Sequence, residues 1–162
     1  MAKWYLAALI VGCIPSNPAL ATDATTPMAV SATVLNACLV TATDMAFGNY
    51  NPTSATPTDA TSNIIVTCTP GTLYNVGLNA GTAPGATVTT RKMRNGSAPL
   101  NYALYSNSGR TTNWGNTVGS DTVSQTASTI APTTFPVYGE IPAQQSVSAG
   151  AYTDIVTVTV SY

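Results

Sequence analysis

The chain has 162 residues, enough for one domain with its own core. Only 7% of them are charged, the formal net charge is −1, and there is no histidine. This balance gives no support for nucleic-acid binding, and the missing imidazole excludes Ser-His-Asp catalysis, His-ligated zinc and histidine pH switching. With 44% apolar residues and long β-branched runs, the composition reads as an uncharged, Thr-rich β protein, not a disordered one.

The first segment, Met1-Ala2-Lys3, is followed by an apolar stretch from Trp4 to Ile14 and by Ala19-Leu20-Ala21. A basic start, a short apolar region and an A-x-A site predict a secretory leader over residues 1–21. The apolar stretch is too short for a bilayer-spanning helix. A competing signal is Ile10-Val11-Gly12-Cys13, where cleavage would leave Cys13 as a lipidated first residue. Cleavage after Ala21 instead leaves two cysteines, Cys38 and Cys68. In an exported chain, an even pair defaults to a disulfide. The loop it closes contributes about 3–4 kcal/mol in the chain-entropy model.

After a polar stretch ending at Pro27 comes Met28-Ala29-Val30-Ser31-Ala32-Thr33-Val34. Its larger apolar side chains, Met28, Val30 and Val34, share with Ala32 every second position, the period of a strand with one buried face. The chain stays extended through Cys38 to Ala42. An aromatic turn follows at Ala46 to Pro52, then a Thr/Ser/Pro loop over residues 53–61. Strands are predicted at Asn63 to Cys68, Leu73 to Leu78, Thr87 to Met93, Leu100 to Tyr105, Phe135 to Ile141 and Ala151 to Tyr162. Residues 106–128 read as a polar loop around Trp114. Short strands at regular spacing, separated by turn residues, predict an antiparallel sandwich of immunoglobulin type.

The chain stops inside the alternating run Ile155 to Tyr162, with no residues left for a further strand. The sandwich is therefore expected to be one strand short, with an open edge. An unpaired alternating segment at the front would fill that gap in a neighbouring copy, which makes the chain a building block for a non-covalent polymer.

Other constellations are weaker. The acids Asp23, Asp44, Asp59, Asp121, Glu140 and Asp154 stand apart, and Lys92 is the one lysine beyond the leader. No catalytic residue, metal site or cofactor is expected. Arg91, Lys92 and Arg94 form the one cation cluster. It reads as a solvated strand edge, with an anion-contacting surface as the alternative. Asn95-Gly96-Ser97 matches a glycosylation acceptor in form only. Trp114-Gly115 reads as a core anchor, with a sugar-stacking platform as the alternative.

Several pieces, in order, carry a family resemblance: Phe47-Gly48-x-Tyr50-x-Pro52, Val66-Thr67-Cys68-Thr69-Pro70-Gly71, Leu100-x-Tyr102-x-Leu104-Tyr105 and Trp114-Gly115. Tyr138-Gly139, Ile141-Pro142 and Ala149-Gly150-x-Tyr152-x-Asp154 complete the set. The chain resembles the spore coat protein U domain, which includes the pilins of archaic chaperone–usher pili. The resemblance implies an all-β fold: an incomplete immunoglobulin-like antiparallel β-sandwich lacking its last strand, completed by donor-strand complementation. It implies a donor strand within residues 22–37, with Met28, Val30, Ala32 and Val34 as donor side chains, and a pilin domain over 38–162. The acceptor groove would be lined partly by Val156, Val158, Val160 and Tyr162. The Cys38–Cys68 disulfide would tie the segment after the donor strand to the core. Implied partners are identical or related pilin subunits joined head to tail, a periplasmic chaperone and an outer-membrane usher, with no nucleic acid. The implied location is a cell-surface fimbria reached through the periplasm, serving adhesion and biofilm formation. The alternatives are a minor or adaptor subunit of the same pilus and a secreted monomeric binding module, for example for carbohydrate.

Overall fold

The computed structural model describes residues 22–162. The expected leader and the Cys13 alternative lie outside the described residues. Two units are distinguished, one ending at Thr33 and one spanning Val34–Tyr162. In the first, residues 22–33 carry no regular secondary structure and are all exposed.

The second unit is all-β. Its eight strands are β1 (Cys38–Ala42), β2 (Thr58–Cys68), β3 (Leu73–Leu78), β4 (Arg91–Asn95), β5 (Ala98–Tyr105), β6 (Val123–Thr126), β7 (Thr133–Ile141) and β8 (Val158–Ser161). They form a five-stranded sheet in the order β1-β2-β7-β5-β4 and a three-stranded sheet in the order β6-β3-β8. Every pairing is antiparallel. The result is an immunoglobulin-like sandwich, as expected from strand spacing.

Alternation explains the layers. In β2, Ser62, Ile64, Val66 and Cys68 are buried, while Asn63 is exposed and Ile65 and Thr67 are half-buried. In β7, Phe135, Val137, Gly139 and Ile141 point inward in the same way. Leu100, Tyr102 and Leu104 of β5 extend the same inner face, and Tyr74, Val76 and Leu78 oppose them from β3 in the other sheet. Such period-2 burial follows from a pleated strand with one face on the core. Tyr74 meets Phe135 edge-on, with ring centroids 6.2 Å apart.

Several expectations are corrected. β2 begins at Thr58, inside the stretch expected to be loop, because β7 offers partners from Ile141 down to Thr133 along its whole length. The segment expected as pure loop around Trp114 contains β6, a short strand that pairs with β3 through residues too polar to signal a core face. The last strand is confined to Val158–Ser161, although the half-buried positions Tyr152, Asp154, Val156, Val158 and Val160 keep period 2 throughout. No residue between 22 and 37 lies in a strand, so the alternation at 28–34 has no ladder in this structure.

Candidate functional site

The two sheets are open along one side. β1 ends the five-stranded sheet and β8 ends the three-stranded sheet, and these two edges lie near each other. Between them is a cavity of about 340 Å³, flanked by Ala42, Thr43, Asp44 and Met45 and by Asp154, Ile155, Val156 and Val158. Its floor is core: Ile64, Leu78, Leu104 and Val137 reach it from four different strands. Met45 also borders a second cavity of about 660 Å³, lined among others by Phe47, Tyr50, Met93, Leu100, Val147 and Tyr152. The two cavities share Met45, and together their linings follow residues 42–52 on one side and 147–158 on the other.

Each wall has a local cause. On the first, the Cys38–Cys68 disulfide closes the pair that heads the β1–β2 register, with Cα atoms 4.1 Å apart. The bridge expected from cysteine counting is present. Past β1, Met45 and Phe47 pack onto Gly139 of β7, where a Cβ would collide with both side chains. Phe47 then meets Tyr102 edge-on at 6.1 Å.

The second wall is held mostly by side chains. Thr153 forms an isolated bridge with Arg94 of β4. Asp154 accepts hydrogen bonds from Tyr102 Oη at 2.8 Å and from the Thr82 amide and hydroxyl at 2.9 Å each. Asn79 Oδ1 accepts the Thr157 amide at 2.9 Å. Gly81, at φ +85°, lets the 79–82 loop lie against Asp154, where a Cβ would strike the carboxylate. Burial pushes the Tyr102 phenol well above its ordinary range, and the neighbouring Asp154 adds to the effect.

The cation cluster lies on β4, an edge strand, with Lys92 and Arg94 half-buried, but its first member is not solvated. Arg91 is 0% exposed. Its guanidinium donates to the carbonyls of Asn79 at 2.8 Å, Val88 at 2.7 Å, Leu78 at 2.9 Å and Trp114 at 2.7 Å. Burial lowers its pKa from the ordinary arginine value, opposed by the charges of Tyr102, Asp154 and Asp121. Sequence reasoning missed this role because the first cation of a charged cluster carries no sign of the carbonyls it will meet.

Trp114 is 1% exposed, and its Nε1 donates to the Val76 carbonyl at 2.8 Å. It is a core anchor and leaves no face for a sugar ring. Among the described residues, no three His, Cys, Asp or Glu side chains gather to hold a metal.

The residues expected to act in docking fall as follows. Val156 and Val158 line the smaller cavity. Val160 pairs with Val76 and packs on the core, while Tyr162 is 60% exposed. Met28, Val30 and Val34 are 82%, 83% and 81% exposed, and Ala32 is exposed as well.

The Spore Coat Protein U domain model matches residues 24–159, most of the chain. The chain belongs to this family. A similar protein, Protein U of Myxococcus xanthus, is 33% identical over 161 residues, covering 90% of this chain and 89% of that protein. Among solved structures, one similar chain comes from the crystal structure of the CsuC-CsuE chaperone-tip adhesion subunit pre-assembly complex from archaic chaperone-usher Csu pili of Acinetobacter baumannii. It superposes with a TM-score of 0.57 at 27% identity over 80% of this chain and 40% of that one. The present chain thus spans less than half the length of that solved chain.

Proposed function

We propose that this protein is a pilin of an archaic chaperone–usher system that polymerises by donor-strand exchange. The observation that carries the reading is the open cavity between the chain leaving β1 and the chain entering β8, floored by core side chains. The same chain also holds an unpaired apolar segment, with Met28, Val30 and Val34 each more than 80% exposed.

In this reading, residues 1–21 are a leader, 22–37 the donor extension and 38–162 the acceptor domain. Met28, Val30, Ala32 and Val34 of one copy enter the groove of the next. Val156 and Val158 line the cavity assigned to that groove, and Val160 and Tyr162 are assigned to its continuation along the last strand. Strand addition supplies main-chain hydrogen bonds for affinity and alternating pockets for register. Burying one Met, two Val and one Ala contributes about 5–8 kcal/mol as an upper estimate, before the cost of association. The contact is heterologous and need not close, so it propagates as a fibre.

The partners are further copies or related subunits, a periplasmic chaperone that occupies the groove first, and an outer-membrane usher. The solved neighbour, from a chaperone-subunit complex of such a pilus, supports these assignments. The destination is a surface fimbria with roles in adhesion and biofilm formation, and the chemistry is structural, not catalytic.

The test deletes residues 22–35 and co-expresses the variant with the cognate chaperone. The truncated protein is expected to fold in a soluble chaperone complex and to form no fibres. Loss of the folded domain would contradict the reading, because the deleted segment would then belong to its own sandwich.

A further inference from the structure

We infer that Arg91 is a positioning residue for the acceptor groove, presetting the second wall through the 79–82 loop without touching the donor strand. This rests on the donor-strand reading above. Arg91 is fully buried, yet the groove-lining residues do not include it. Its four bonds converge on the end of β3 and the two chain segments beside it, at Leu78, Asn79, Val88 and Trp114. A planar guanidinium with five donors suits such divergent carbonyls, whereas an ammonium offers three donors from one point.

The loop fixed in this way grips the wall at two places. Asn79 holds Thr157 through its side chain and through its own amide, which donates to the Thr157 carbonyl at 3.1 Å. Thr82 holds Asp154 by two bonds, and Asp154 is itself part of the groove lining. Between residues 154 and 157 there is no continuous ladder, so these clasps substitute for one. A wall fixed in advance binds an incoming strand with less ordering cost than a mobile one.

The inference separates groove geometry from global stability. The acceptor is the mature chain carrying Val30→Asp, which spoils its own donor. The probe is a synthetic peptide of residues 24–37, labelled for fluorescence anisotropy. Arg91→Met and Asn79→Ala in this acceptor are each expected to weaken peptide binding at least tenfold. In hydrogen exchange, the Thr82 and Thr157 amides should lose protection while Tyr74 and Val76 keep theirs. Arg91→Lys should bind as poorly as Arg91→Met, since charge alone does not span four carbonyls. Should Arg91→Met fail to fold, Asn79→Ala decides, because it removes the side-chain bonds to the Thr157 and Gly81 amides and leaves the carbonyl partners of Arg91 in place. Unchanged peptide affinity in a folded Arg91→Met or in Asn79→Ala, or full rescue by Arg91→Lys, would overturn the positioning role. Failure of the parent acceptor to bind the peptide would instead sink the donor-strand reading itself.

Discussion

Removing the Cys38–Cys68 disulfide isolates what holds the first wall of the groove. The bridge spans 30 residues of sequence. In the chain-entropy model, a loop of that size stabilises the folded state by about 3.6 kcal/mol. Beside the ladder, hydrogen bonds hold the flanks of β1, from Thr69 to the Leu35 and Ala37 carbonyls and between Thr43 and Asn63. In β1, residues 39–42 are exposed, with Leu39 at 75% and Val40 at 40%, so apolar burial contributes weakly there. The strand rests on its ladder with β2 and on the covalent tie at the head of that ladder. The assay is urea unfolding of the Val30→Asp chain, oxidised and reduced, which keeps assembly out of the measurement and changes no side chain other than the bridge. The midpoint should fall by about 2 M, given slopes of about 1.5–2 kcal/mol per M for a chain of this size. Amides of residues 40–42 should exchange faster in the reduced form. A reduced protein within about 1 kcal/mol of the oxidised one would refute the claim that β1 depends on the bridge.

Further outcomes follow from individual contacts. Trp114→Phe loses the bond to the Val76 carbonyl and should cost about 1–3 kcal/mol by denaturant melts, more if the smaller ring leaves a void. Gly81→Ala forces a side chain into the Asp154 carboxylate at positive φ, and should destabilise the domain by about 1 kcal/mol or more while weakening donor-peptide binding. The Tyr102 phenol has a raised folded-state pKa, against about 10 when unfolded. Its contribution is thus fully present below pH 10 and is lost progressively above it. In an ultraviolet titration part of the phenol signal should rise later than that of free tyrosine, and Tyr102→Phe should diminish this late phase, leaving the share of Tyr105, which burial also raises.

The legible parts of the sequence were those governed by local period and by counting. Leu73 to Leu78 alternates strongly enough that β3 matches its predicted bounds, and the cysteine pair follows from number and compartment. Trp114 was readable as a core anchor because few other side chains in its polar loop have comparable apolar area. What escaped depends on partners distant in sequence. β2 gains its first residues from the length of β7, and β6 exists because β3 has an edge to offer. Arg91 is buried only because four carbonyls from separate segments converge on it. The second wall reads as a uniform strand in sequence, yet between residues 154 and 157 it is clasped by Asn79 and Thr82. The alternation at 28–34 was visible, but period alone does not say which molecule supplies the facing pockets.

Cysteine pairing between copies would probe that last point most directly. One pool of chains carries a single cysteine at position 28, 30, 32 or 34, and a second carries one at 156, 158 or 160, each with the native disulfide retained. Mild oxidation of mixed pools should give dimers containing one chain from each, in a pattern that steps by two along both segments. No cross-links between the pools, while a control chain carrying both cysteines bridges within itself, would contradict the account.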